Sequence, residues 1–165
     1  RIALEWSPNQ PLLAIATTSF VGDPLFEEIR LFDVATGKLQ TLIEDNFAAF
    51  FWSPDGSRIL YAKRHLDREY WTWVVVDIRS GKSIPVVNFI PSHAQILVFR
   101  YFDQYALSHR LWSPDSQFFT FSGHVGANLD PAQGFPNPFV YVVPVSENTI
   151  PQKLSDGHMA FWSPQ

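Results

Sequence analysis

Hydrophobic residues in this sequence are grouped in short runs that are separated by turn-forming residues. Three of the runs, 47–52, 71–76 and 118–121, alternate poorly between apolar and polar positions. Short runs rich in aromatic and β-branched residues are typical of β-strands, and missing polar alternation indicates strands that are covered on both faces. The pattern therefore predicts an all-β protein whose sheets pack against one another.

The tripeptide Trp-Ser-Pro occurs four times, at successive offsets of 46, 60 and 50 residues, and divides the chain into repeats. In the second copy Pro54 supplies the fixed φ of a turn, Asp55 tolerates the next position and Gly56 closes the turn. The incoming strand therefore ends at the tryptophan. The four copies begin at Trp6, Trp52, Trp112 and Trp162, and the third copy continues with Pro114 and Asp115.

A second turn motif, Asp-x-x-x-Gly-Lys, follows at 33–38 and 77–82, with a degraded copy at 144–149. Gly37 and Gly81 offer the positive φ that a hairpin with a bulge requires. Each repeat therefore predicts four antiparallel strands, which is the content of one β-propeller blade, whereas a β-sandwich would not repeat its turns at this spacing. The predicted blades span approximately 1–46, 47–105 and 106–158, and 159–165 begins a further blade.

The segment 52–62, together with 77–82, resembles the WD40-like (PD40) repeat of TolB-type β-propellers, which also occurs in the propellers of prolyl-oligopeptidase-type peptidases. The resemblance covers nearly the whole chain and implies a single propeller segment over 1–165 and a periplasmic or otherwise extracytoplasmic location. It implies no activity, because proteins with many functions share the repeat. A closed ring needs about 4–8 blades. We therefore expect part of a longer propeller, or half of a six-bladed ring that a second copy completes.

Composition and charge exclude several classes of function. The net charge of −4 argues against a surface for nucleic acids, and no apolar run reaches the length of about 18 residues that a membrane-spanning helix needs. The absence of cysteine excludes thiol chemistry and disulfides. Because the sequence also lacks Gly-x-Ser-x-Gly, a phosphate-binding glycine loop and His-Glu-x-x-His, it predicts no catalytic residue, cofactor or metal.

The long connections of the predicted propeller lie at one end of its strands, and such loops on a rigid scaffold commonly bind partners. The richest stretch, 99–112, leads from the longest insertion into a strand near the axis. Its aromatic and arginine side chains are typical of hot spots for a protein or peptide; alternatively, they only pack within the fold. The candidate partner-binding residues are Arg100, Tyr101, Asp103, Gln104, Tyr105, His109 and His124.

Three functions are consistent with this surface. The first is a non-enzymatic scaffold that binds a protein or peptide through the long loops. The second is the substrate-gating propeller of a prolyl-oligopeptidase-type peptidase, as the resemblance implies. The third is a module that binds glycans or small ligands through exposed aromatic residues.

Overall fold

The computed structural model describes residues 1–19, 24–105, 108–126, 137–147 and 149–163. Within these ranges ten strands form one open sheet, in which each strand pairs antiparallel with the next strand along the chain. The predicted all-β class is therefore confirmed. The strands are β1 (Ile2–Trp6), β2 (Leu12–Thr17), β3 (Phe26–Asp33), β4 (Lys38–Trp52), β5 (Arg58–Arg64), β6 (Trp71–Asp77), β7 (Ser83–Pro91), β8 (Phe118–His124), β9 (Phe139–Pro144) and β10 (Gln152–Asp156), and the helices are α1 (His93–Arg100) and α2 (Phe102–Tyr105).

Strand β4 belongs to two consecutive repeats. Its first half pairs with β3 and its second half pairs with β5, and register shifts interrupt both ladders. The sequence predicted two separate strands here, but the backbone passes from one partner to the other without leaving extended geometry. Because the ladder is continuous, it does not mark where one repeat ends, and the blade bounds stay a prediction.

The Trp-Ser-Pro turns form as predicted. The Gly56 amide donates to the Ser53 carbonyl oxygen at 2.8 Å, and in the third repeat the Ser116 amide donates to the Ser113 carbonyl oxygen at 2.9 Å. Ser116 adopts a φ of 59°, in the left-handed region that glycine occupies in the second repeat. Its hydroxyl accepts a hydrogen bond from the Asp55 amide at 3.1 Å, so this residue links two neighbouring turns.

The second turn motif also has the predicted geometry. Gly37 and Gly81 have φ values of 71° and 70°. Asp33 accepts hydrogen bonds from the amides of the next turn residues, and Asp77 does the same one repeat later. These hydrogen bonds lower the pKa of both carboxyl groups. The predicted third copy includes Asn148, which lies outside the described residues.

Two tryptophan indoles connect consecutive repeats. Trp52 Nε1 donates to the Glu5 carbonyl oxygen at 3.2 Å, and Trp112 Nε1 donates to the Phe51 carbonyl oxygen at 3.1 Å. In both cases the acceptor is the residue directly before the tryptophan of the preceding repeat. The motif therefore fixes both a turn and the distance between neighbouring repeats.

Aromatic side chains fill the space between the repeats. Trp73 is fully buried and stacks on Phe89, with ring centroids 5.1 Å apart and an interplanar angle of 6°. Phe99 of α1 packs edge-on against Trp73. Phe102 of α2 contacts a second group of buried rings, which consists of Phe26, Phe50 and Phe51.

The two helices correct the sequence prediction that 99–112 leads from an insertion into a strand: among the described residues between α2 and β8, Trp112 forms only an isolated bridge with Phe119. Ser92 caps α1 by accepting a hydrogen bond from the Gln95 amide. The buried residues Gln95, Val98, Phe99 and Phe102 follow the spacing of one helical face. The same segment carries the Ser-x-x-Gln capping signature, so local sequence signals for the helix were present.

Gly123 is required where β7 meets β8. These strands share only the pairs Ile90 with His124 and Pro91 with Gly123 in the described ladder, and a Cβ on Gly123 would lie 2.3 Å from the Ile90 carbonyl oxygen. We expect Gly123→Ala to lower the free energy of unfolding by about 3 kcal/mol, measured by urea denaturation.

The matched control is Gly37→Ala. A Cβ at Gly37 meets no atom within 4 Å, so only the positive φ opposes it and the expected loss is about 1 kcal/mol. Equal losses for the two variants would show that the close approach of β7 to β8 does not matter for stability.

Candidate binding surface

The helices α1 and α2 present a mixed apolar and polar surface to solvent. Leu97 and Tyr105 are about half exposed, at 54% and 48%. We call this group the α1–α2 surface. It consists of Ile96, Leu97, Arg100, Tyr101, Gln104 and Tyr105.

Buried aromatic residues hold the α1–α2 surface in place. Phe99 and Phe102 lie in the core, on the opposite side of the helices. The Arg1 guanidinium donates to the Arg100 carbonyl oxygen at 2.8 Å, which ties the end of α1 to the start of the chain. The α1–α2 surface is therefore anchored to the core, whereas a loop would have to become ordered when it binds a partner.

The structure brings together four of the seven candidate residues, namely Arg100, Tyr101, Gln104 and Tyr105, all of them exposed. The two tyrosines are not core residues: Phe99 and Phe102 provide the buried rings of the two helices, and both tyrosines remain accessible. Ile96 and Leu97 were missed because the sequence analysis assigned no helix to this segment.

His109 and His124 differ in their surroundings. His109 is partly buried, its ring packs between those of Tyr105 and Phe161, and its Nδ1 lies 2.7 Å from Ser108 Oγ. His124 is only 7% exposed and lies at the β7–β8 junction, where burial lowers its pKa. His109 therefore borders the α1–α2 surface, whereas His124 offers no exposed side chain to a partner.

Asp103 is partly buried, and its negative charge affects the pKa of Glu5 on β1. Burial and, to a smaller extent, the negative charge of Asp103 together raise the pKa of Glu5 to about 7. A carboxyl group with this pKa is partly protonated near neutral pH. Asp103 thus has an electrostatic role within the fold in addition to its place beside the candidate residues.

The described residues contain no group of three or more histidine, aspartate or glutamate side chains that could hold a metal ion. Within the same ranges, neither helix has the length and apolar character needed to cross a membrane. The α1–α2 surface combines exposed aromatic and aliphatic side chains with the guanidinium group of Arg100 and the amide of Gln104. Such a surface is suited to recognition of another molecule.

Comparison with known proteins gives the fold. No protein-family model matches the chain, and no curated protein matches it in sequence. The β-propeller domain of the Trilobed protease from Pyrococcus furiosus is similar in structure, with a TM-score of 0.62 and 14% identity over 94% of this chain and 43% of that one. A prolyl endopeptidase gives a TM-score of 0.62 and 12% identity over 94% of this chain and 22% of that one.

TolB from Acinetobacter baumannii gives 15% identity over 94% of this chain and 30% of that one. Its TM-score of 0.48 is too low to show a shared fold. The TolB-type repeat family therefore stays a prediction. The chain spans less than half the length of each of these three proteins. At these identities the similarity concerns the fold alone, and the fold is that of β-propeller domains.

The raised pKa of Glu5 predicts a pH dependence of stability. The folded chain holds the Glu5 proton up to a pH of about 7, whereas a glutamate in the unfolded chain loses it near its ordinary value of 4.5. The stabilising contribution is complete below pH 4.5 and is lost as the pH rises through 7. Because Glu5 is only partly buried, water screening reduces this contribution, and Glu5→Gln should retain about 1–2 kcal/mol at pH 8 that the original chain loses relative to pH 5.

This difference is measured by urea denaturation of both proteins at pH 5 and pH 8. Glu69→Gln, in the exposed connection between β5 and β6, is the control and should follow the original chain. Parallel pH profiles for Glu5→Gln and the original chain would contradict the assignment of the raised pKa to Glu5.

Proposed function

We propose that this chain is a non-enzymatic β-propeller scaffold that binds a protein or peptide partner through the α1–α2 surface. The observation that carries the proposal is the contrast between buried and exposed aromatic side chains where α1 passes into α2. Phe102 lies in the core, while Tyr101 and Tyr105 remain 42% and 48% exposed. Binding to a pre-formed surface avoids much of the entropy cost of ordering a loop.

The composition of the α1–α2 surface indicates the chemistry of the partner. Leu97 and Ile96 favour an apolar side chain, because covering exposed apolar area contributes about 25 cal/mol per Å². Tyrosine combines an apolar ring with a hydroxyl group, and Arg100 brings a guanidinium group that pairs well with a carboxylate. We therefore expect a segment that presents apolar residues together with an acidic side chain.

Two substitutions test the surface without disturbing the core. Leu97→Ala and Tyr101→Ala remove exposed side chains, so each should weaken partner binding about tenfold or more while the melting temperature stays within about 2 °C. The partner is first captured with a photo-crosslinking amino acid at position 101. Its affinity for each variant is then measured by calorimetry. Leu39→Ala, which removes a side chain that is 47% exposed on β4, is the control.

Unchanged affinity for both variants, or a large fall in melting temperature with unchanged affinity, would contradict the proposal. A cross-link from position 101 to a hydrolase domain of the same polypeptide would instead favour a propeller that gates a peptidase. The structural similarity to propellers of proteases motivates this second candidate. Glycan binding that is lost in Tyr101→Ala or Tyr105→Ala would favour the third candidate function, a module that binds glycans or small ligands.

The outer positions of β1 suggest a further partner, a second copy of this chain. Ile2 and Leu4 are 65% and 55% exposed, and on the other edge of the sheet Leu154 is 55% exposed. Exposed apolar residues on an unpaired edge strand favour association. We propose that two copies associate through these edges. Light scattering should then give a mass of about twice 18.9 kDa, and Leu4→Lys should return the mass to that of a monomer, whereas a monomeric original chain would exclude the pairing.

A further inference from the structure

A pocket lies between the segments 5–8, 50–54 and 110–112, which surround the tryptophans of the first three repeats. Its volume is about 310 Å³, and its walls are mainly aromatic side chains and proline. It is separate from the α1–α2 surface, because none of the residues of that surface lines it. The lining residues that matter for its chemistry are Glu5, Ser7, Phe51, Trp52, Arg110 and Trp112.

Two residues that line this pocket, Glu5 and Ser7, carry side-chain oxygen atoms without partners. Glu5 Oε1 and Ser7 Oγ are buried, and neither has a hydrogen-bond partner among the described residues. Glu5 belongs to β1, and Ser7 follows the last residue of that strand directly. A buried polar atom without a partner costs free energy, and two such atoms in one pocket indicate a ligand that donates hydrogen bonds.

The other repeats show why Ser7 is unusual. At the equivalent positions Ser53 Oγ donates to Asp55 at 2.6 Å, and Ser113 Oγ donates to Asp115 at 2.5 Å. In the first repeat the aspartate position is Asn9, whose amide nitrogen donates instead to the Pro54 carbonyl oxygen at 2.8 Å. The replacement of aspartate by asparagine therefore leaves the serine hydroxyl available in this repeat.

The charges around the pocket favour a cation. Glu5 is partly buried, and the charge of Asp103 on α2 adds to the negative potential at its carboxyl group. Arg110 is the positively charged residue among those that line the pocket, but it is exposed. Because water screens an exposed charge more strongly than a buried one, the Glu5 carboxylate, once ionised, contributes more than Arg110 to the field inside the pocket.

We propose that this pocket binds the guanidinium group of an arginine side chain of a peptide. The guanidinium would donate hydrogen bonds to Glu5 Oε1 and Ser7 Oγ and would lie against the ring of Trp52. The Trp52 indole nitrogen is 3.2 Å from the Glu5 carbonyl oxygen, so an aromatic wall stands directly beside the carboxylate strand.

Arginine fits this pocket better than lysine for two reasons. Its five donors in a planar fork can serve two separate acceptors, whereas an ammonium group is a point charge with a strongly held hydration shell. A guanidinium plane also stacks on aromatic rings, and the chain already contains such a contact, because the guanidinium carbon of Arg58 lies 5.3 Å from the centroid of the Trp112 ring.

The test uses acetyl-arginine amide as the probe and its neutral, nearly isosteric counterpart acetyl-citrulline amide. Binding to the full chain at pH 8 is followed by the NMR shift of the Trp52 indole signal. We expect saturable binding of the arginine probe, on the order of millimolar, and at least tenfold weaker binding of citrulline. Acetyl-lysine amide should bind with intermediate strength.

Binding measurements on variants of the chain provide a second test. Glu5→Gln should weaken binding of the arginine probe at least tenfold and Ser7→Ala about fivefold, whereas Glu69→Gln should leave it unchanged. Lowering the pH from 8 to 6 should weaken binding to the original chain about fivefold or more, because Glu5 gains a proton in that range. Melting temperatures confirm that each variant is folded.

Three results would overturn the proposal. Equal binding of arginine and citrulline would mean that the pocket is only an apolar cavity. Unchanged binding to Glu5→Gln would place the cation elsewhere, and the absence of a saturable shift at Trp52 would show that the pocket does not take the probe. None of these results bears on the α1–α2 surface, so this inference and the proposed function fail separately.

Discussion

The hydrogen bond from a tryptophan indole to the carbonyl group of the preceding repeat is the interaction on which this fold depends. It joins the side chain of Trp52 to the first repeat and that of Trp112 to the second. Because each acceptor is the residue before the previous tryptophan, the same bond sets the spacing from one repeat to the next. The buried rings of Trp73, Phe89 and Phe102 then fill a gap of fixed width.

Departures from the repeat pattern are the places where the molecule acquires its individual chemistry. Asn9 replaces a turn aspartate, links two turns and leaves Ser7 without its usual partner. Ser116 replaces a turn glycine and links the next pair of turns through its hydroxyl group. The helical insertion after β7 uses Phe102 to seal the core and thereby exposes the tyrosines on either side of it.

Local signals made much of the fold predictable. The strands Phe26–Asp33 and Trp71–Asp77 end where the predicted turns 33–38 and 77–82 begin, because nearby residues determine these turns. The exposure of Tyr101 and Tyr105 could not be predicted, since it depends on which ring of the segment enters the core. The burial of Glu5 was equally hidden, because it results from contacts with later repeats and with α2, far away in the sequence.

The repeat-to-repeat hydrogen bond can be observed directly through the indole protons. In a ¹⁵N-labelled sample we expect the indole protons of Trp52 and Trp112 to exchange with solvent far more slowly than the indole proton of Trp6. The Trp6 side chain is the reference because it is 61% exposed. The chemical shifts of the Trp52 and Trp112 indole protons should also change little with temperature, as hydrogen-bonded protons do. Exchange of the Trp52 proton as fast as that of Trp6 would contradict the central role of this bond.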